Sequence, residues 1–361
     1  MLDAYSAAAI PDSLLLPLPP RVRPHGHALP LRVGTRGSPL ALAQTGLFLD
    51  RLARFCPALR LHDVFREEVI RTTGDRVQDR SLAEIGGKGL FAKEIHEALA
   101  DRRVDFAVHS LKDLETSLPP GIVLACTLKR EDARDALILG PGCPPPDPAD
   151  PLAALPPGAV IGTNSVRRQA QLLHARPDLR TVLLRGNVGS RIGKVRRGDC
   201  TASLLAVAGL RRLGLEDEAA VVFDPDGMVP AAGQGIVGVT VREDDAALRA
   251  LLAAIEDPEA RAVSTAERAM LAELDGSCRT PIGGHARLLP RVDHAQAIHP
   301  ATTPFGPAPG EAVLHLTGLV ARPDGSFLLK RSLHGPAVEA ERIGAELGAS
   351  LRADSPHDIF S

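Results

Sequence analysis

The sequence predicts an α/β protein that ends in a smaller α+β unit. From Leu31 to about Lys129, and again from Ala159 to Leu215, short apolar strands alternate with amphipathic helices, the pattern of a mostly parallel sheet covered by helices. From Pro258 onward that alternation stops, and a long helix precedes a strand and a hairpin. A chain of 361 residues is long enough for two or three domains of ordinary size.

In the first unit, strand "LRVGTR" (31–36) leads through Ser38-Pro39, an N-cap with proline at the first helical position, into helix "PLALAQTGLFLDRLARF" (39–55). Strand "VFREEVIRT" (64–72) follows, then a polar stretch rich in glycine (74–94) with the character of a lid over a site. A helix over about 90–100 and strand "VDFAVHS" (104–110) complete the unit. The Pro-rich segment 140–158 reads as a surface loop or linker. The second unit runs strand 159–163, helix 165–176, strand 181–186, helix 190–198, strand 202–207 and helix 209–215. The third runs helix 259–276, strand 280–289, a Pro/His-rich insertion around 290–310, a hairpin turning at Asp324-Gly325, and a last helix over about 336–352.

Composition excludes several classes. Cys56, Cys126, Cys143, Cys200 and Cys278 are odd in number and widely spaced, without CxxC or Cys/His clusters, so neither a disulfide framework nor a metal site is expected. Reduced thiols suit a cytoplasmic protein. Residues 1–30 lack a basic start and are broken by prolines, so they read as a disordered leader, not an export signal. No apolar run has the length of a membrane span. A net charge of −2 and 3% aromatic residues without tryptophan argue against nucleic-acid partners.

The positions of the cations are more telling than their number. Ligands of a parallel α/β sheet bind beyond the carboxyl ends of its strands, and five predicted strand ends carry cations. Arg36 follows the first; Ser110, Lys112 and Asp113 follow 104–108; Ser165, Arg167 and Arg168 follow 159–163. Arg185 and Arg191 follow 181–184, and Arg211 and Arg212 follow 202–207. Several of these sit beside helix N-termini, which favour anions, and an arginine fork binds two carboxylate oxygens at once. The expected ligand carries several separate acidic groups. Asp113 does not fit anion binding. It reads either as a structural ion-pair partner or as a group that meets positive charge developing during a reaction. Cys278 lies in a Gly/Ser-rich turn beside Arg279, a setting that favours the thiolate.

Eight segments in order, "VGTRGSPLALAQT", "GGKGLFAKEI", "DFAVHSLKD", "GTNSVRRQAQL", "LRGNVGSRIGK", "LAVAGLRRLGL", "PAAGQGIVGV" and "LDGSCRTPIGGHA", resemble the porphobilinogen deaminase (hydroxymethylbilane synthase) family over about residues 31–286. The resemblance implies a transferase of tetrapyrrole and heme biosynthesis that joins four porphobilinogen molecules head to tail. They are added to a dipyrromethane cofactor held covalently on Cys278, and the linear tetrapyrrole is released by hydrolysis. It assigns catalysis to Asp113. Binding of cofactor and substrate carboxylates would fall to Arg36, Ser38, Lys88, Ser110, Lys112, Thr163, Ser165, Arg167, Arg168, Arg185, Arg191, Arg212 and Gln234, with Gly186 and Gly189 offering backbone N–H groups.

The same resemblance implies a cytoplasmic monomer of three domains. The first two would be like type II periplasmic binding proteins, with mostly parallel mixed sheets, and the third a smaller α+β domain. Their expected bounds are 31–130 with 235–253, 134–230, and 257–361. Two departures stand out: Glu84 where members often have lysine, and "LET" (114–116) where "VPT" is common. A non-catalytic polyanion-binding protein of the periplasmic type is the alternative, and it leaves Cys278 and Asp113 without a role.

Overall fold

The computed structural model describes residues 29–60, 63–77, 89–275, 280–289 and 312–360. Almost all of the expected leader, most of the lid segment with Lys88 and Glu84, Cys278, and most of the 288–310 insertion lie outside the described residues.

The first sheet has the order β2-β1-β3-β10-β4, with β1 (Leu31–Thr35), β2 (Phe65–Val69), β3 (Phe106–Ser110), β4 (Ile122–Thr127) and β10 (Val237–Arg242). β1 pairs in parallel with β2 and β3, whereas β10 runs antiparallel to both β3 and β4. Helix α1 (Pro39–Phe55) begins where the Ser38 hydroxyl accepts from the Ala41 N–H at 3.2 Å. It buries Phe48, Leu49 and Leu52 against one sheet face. A four-residue helix α2 (Thr73–Arg76) follows β2. Helix α3 (Lys93–Ala100) covers the opposite face with Ile95, Ala98 and Leu99.

The second sheet repeats the plan in the order β7-β6-β8-β5-β9, from β5 (Asp135–Leu139), β6 (Val160–Thr163), β7 (Arg180–Leu183), β8 (Ala202–Ala206) and β9 (Val221–Val222). β6 is parallel to β7 and β8, and β5 is antiparallel to β8 and β9. Helices α4 (Val166–Ala175), α5 (Val188–Arg196) and α6 (Val207–Arg212) follow the ends of β6, β7 and β8. In each sheet the parallel strands come from the alternating segments. The antiparallel strands come from stretches that periodicity did not mark. β5 is apolar after Asp135 and buried on both faces, so it lacks the period-two signal of a half-buried strand, whereas β10 alternates as Val-Gly-Val-Thr-Val-Arg although all six of its residues are buried.

The chain crosses between the sheets twice, at 128–134 and 229–236, and the crossings lie side by side. Leu128 N–H donates to Val237 O at 3.0 Å, and Glu131 N–H to Gly235 O at 3.0 Å. Gly235 has φ of +88°, and a Cβ there would stand 2.3 Å from Glu131 O, so no other residue fits. Helix α7 (Ala246–Ala253) then packs Leu248, Leu251 and Leu252 beside α1.

The third unit is the antiparallel sheet β11-β12-β13, comprising Ile282–Leu289, Val313–Ala321 and Leu328–Pro336, with α8 (Pro258–Glu273) and α9 (Ala340–Ala353) packed on it. One carboxylate ties it to the crossings. Glu267 on α8 is fully buried; it accepts from the Ala286 N–H at 2.6 Å, the Gly233 N–H at 2.7 Å and Arg130 Nη1 at 2.6 Å. Arg130 also donates to Gln234 O at 2.9 Å. Glu267→Ala leaves Arg130 without its counter-charge, so we expect destabilisation of about 3–5 kcal/mol. The urea midpoint by circular dichroism should fall accordingly, and an unchanged midpoint contradicts this role.

Candidate active site

A cleft of about 620 Å³ lies between the two five-stranded sheets, and Leu271, Thr280 and Ile282 of the third unit close one side. Its walls are built from strand ends and the helix starts that follow them. β1 delivers Arg36 and Ser38, β3 delivers Ser110, Lys112 and Asp113, β6 delivers Asn164, Ser165 and Arg168, and β7 delivers Arg185, Gly186 and Arg191. Parallel strands point these ends the same way, which is why residues far apart in the chain converge.

Charge in the cleft is uneven. Among its described lining residues are seven cations, Arg36, Arg71, Lys112, Arg167, Arg168, Arg185 and Arg191, against the carboxylates Asp75, Asp113 and Glu115. Burial, with Arg168 and Arg185 close by, pushes the Arg191 guanidinium down to about 10. Burial and Arg168 push the Lys112 ammonium down to about 8, against the pull of Asp113 and Asp135. Cations crowded until they weaken one another are costly to hold, and a polyanionic ligand removes that cost.

Two of the three acids are engaged by one arginine. The Arg36 fork grips Asp75 through Nε at 3.2 Å and Nη2 at 2.5 Å, and its Nη1 donates to Asp113 Oδ2 at 3.3 Å. Its guanidinium lies 4.2 Å from the centroid of the Phe91 ring. Burial opposes ionisation of Asp75, but Arg36 and Thr72 outweigh it and hold the carboxyl below its ordinary value. Asp113 remains partly open to the cleft, its side chain 29% exposed.

Beneath the floor lies Asp135, fully buried at the start of β5. Its Oδ2 accepts from Arg167 Nη2 at 2.7 Å, and its Oδ1 from Arg168 Nη2 at 2.7 Å and Gln234 Nε2 at 2.8 Å. Gln234 accepts in turn from Lys112 Nζ at 3.1 Å. Burial opposes the Asp135 charge, yet the two arginines hold its carboxyl far below the usual carboxylate range. Arg167 spends its remaining reach on Val229 O at 2.5 Å, so the structure sets it as a buried support.

The other expected residues divide by placement. Ser38 and Ser165 line the cleft while capping helices, Ser110 donates to Gln44 Oε1 at 3.0 Å, and Arg185 reaches across to Gly74 O at 3.0 Å. Thr163, Gly189 and Arg212 are not among the lining residues; Arg212 donates instead to Gly235 O at 2.6 Å. Cys278 and Lys88 lie outside the described residues, although Thr280, two positions after Cys278, lines the cleft. Sequence reasoning missed Asp75, Asp135, Phe91 and Glu115. Asp75 lies on the short helix α2 and Asp135 opens β5, but no local pattern shows that an acid will be gripped by distant arginines.

Residues 31–250 match the family model for the porphobilinogen deaminase dipyromethane cofactor binding domain, and residues 262–353 match that for its C-terminal domain. The chain belongs to the porphobilinogen deaminase family. A porphobilinogen deaminase of Paracoccus denitrificans is 45% identical over 92% of this chain and 96% of its own length. That of Sorangium cellulosum is 44% identical over 89% of this chain and 98% of its own. A solved ancestral arginine-binding protein aligns with 62% of this chain and 89% of its own at 13% identity and a TM-score of 0.36, too distant to transfer anything to the cleft. Among the described residues no group of three or more His, Cys, Asp or Glu could hold a metal ion, and no helix is long and apolar enough to cross a membrane.

Asp135 should dominate the acid limb of stability. Its carboxyl titrates lower when folded, so its contribution is present above about pH 4 and is lost as pH falls below that. In Asp135→Asn that part of the acid dependence should vanish, and the melting temperature at pH 7 should drop, because two buried guanidinium groups lose their counter-charge. An acid limb identical to the parent's would contradict the assignment.

Proposed function

We propose that this chain condenses four porphobilinogen molecules head to tail onto a dipyrromethane carried by Cys278, with loss of ammonia at each addition and hydrolytic release of the tetrapyrrole. The observation that carries this reading is a cation-crowded cleft in which Arg36 fastens the Asp113 carboxylate through a single nitrogen. The family-level match supports the same activity.

The cleft suits a group bearing several carboxylates, since its cations outnumber its acids and weaken one another. Arg168, Arg185, Arg191, Lys112 and Ser165 would hold the acetate and propionate side chains of the cofactor and of incoming substrate. When bound, the dipyrromethane supplies the free pyrrole carbon to which the first substrate unit is joined. Asp113 faces the opposite demand. As ammonia leaves porphobilinogen, positive charge spreads over the pyrrole, and a fixed carboxylate beside it lowers the energy of that state. The same carboxylate can accept the proton lost after coupling.

Arg36 contributes position rather than binding. Its fork is filled by Asp75, so the nitrogen left over orients Asp113, and the Phe91 ring under the guanidinium keeps the fork in place. A protein that only bound polyanions would have no use for Asp113 in this place.

Asp113→Asn should retain its attached pyrrole groups in intact-protein mass spectra while losing nearly all turnover of porphobilinogen; turnover at the parent rate would refute its role. Cys278→Ala should lack the mass increment of two linked porphobilinogen units and fail to elongate. The usual adduct on another residue would move the attachment point.

A further inference from the structure

Behind the cleft wall two polar groups face each other. His96, on α3, is 3% exposed, and neither ring nitrogen has a hydrogen-bond partner among the described residues. Its Nδ1 lies 4.0 Å from Oε2 of Glu115, an oxygen likewise buried and without a hydrogen bond among them. The neighbouring His109 ring, its centroid 5.7 Å away, is engaged through Nε2 with Thr240 Oγ1 at 2.9 Å. Burial pushes His96 down to about 4, so near neutral pH the ring that faces Glu115 is uncharged.

Glu115 follows Asp113 by two residues and lines the cleft. Its other oxygen rests against Gly89, where a Cβ would stand 1.9 Å from Oε1. From α8, Arg268 Nη2 donates to the carbonyls of Glu115 at 2.6 Å and Thr116 at 3.0 Å. The turn carrying Asp113 therefore meets three elements at residue 115: α3, the segment that begins at Gly89, and α8. A buried carboxylate oxygen facing only apolar wall costs stability, and a neutral histidine leaves a donor or an acceptor unmet in either tautomer. At 4.0 Å the two stand beyond hydrogen-bond range, and closing that gap would meet one need of each.

We propose that Glu115 and His96 act as a linked pair that sets the position of the Asp113 turn, which makes Glu115 a positioning residue for the condensation. This rests on the role of Asp113 given above. Because Glu115 is joined to Asp113 through one intervening residue, loss of the pair should act on the chemical step and leave binding nearly unchanged.

The test uses the full-length enzyme with its covalent group. Glu115→Ala should lower kcat about tenfold with KM within about twofold, and Glu115→Gln, which can still hydrogen-bond, should recover most of it. His96→Gln should keep more activity than His96→Ala, which covers the case in which Glu115→Ala does not fold. The double alanine variant should be no worse than the poorer single one, since the two side chains act as a unit. In ¹⁵N-histidine NMR, which does not depend on turnover, the His96 ring resonances should shift in Glu115→Gln while those of His174 stay. Parent-like kcat in Glu115→Ala, multiplicative losses in the double variant, or unmoved His96 resonances would each overturn the pair. Asp113→Asn run in parallel separates the two readings: if it keeps turnover, the assignment of Asp113 has failed rather than the pair.

Discussion

Asp135 is the interaction on which the arrangement of the cleft depends. A carboxylate with no access to water survives in the interior only with full compensation, and here two guanidinium groups and an amide supply it. Arg167 and Arg168 open α4 in the second unit, whereas Gln234 belongs to the returning crossing and bonds Lys112 in the first. One buried charge thus joins a helix start, a crossing and the strand end that carries Asp113.

The cleft above it runs on a different balance. Its cations are partly desolvated and face one another, so the ligand-free state is strained electrostatically. Asp75 relieves part of this by filling the Arg36 fork, which leaves Arg36 one nitrogen for Asp113. Asp113 thus shares its arginine with Asp75, while Arg168, Arg185 and Arg191 line the cleft from the second unit. Glu267 adds the third unit to this frame by bonding both crossings' neighbourhood and β11 at once.

Legibility in the sequence followed the physics of each feature. β1, β3, β6 and β8 stood out because short apolar runs with helix signals on either side mark parallel α/β units, and Ser38-Pro39 marks the start of α1 from chain-local chemistry alone. β5 did not stand out, because a strand buried on both faces carries no alternation; β10 does alternate, but it lies apart from the strand–helix units that mark the other strands. Among site residues, Arg36, Lys112, Asp113, Arg168, Arg185 and Arg191 were visible as strand-end positions, and all six line the cleft. The same rule placed Arg212 there too, but its guanidinium is turned to the Gly235 carbonyl.

From the sequence alone came the α/β class, the order of the alternating elements, the sign of the cleft's charge and the family, because these rest on local periodicity, residue type and motif order. Tertiary structure alone decided which cations are free for a ligand and which are consumed within the protein. Arg191 and Arg212 are identical in type and each stands a few residues past a strand end, yet one lines the cleft and the other donates to the Gly235 carbonyl. That division depends on where distant carbonyls and carboxylates come to rest after folding, which neither spacing nor composition encodes.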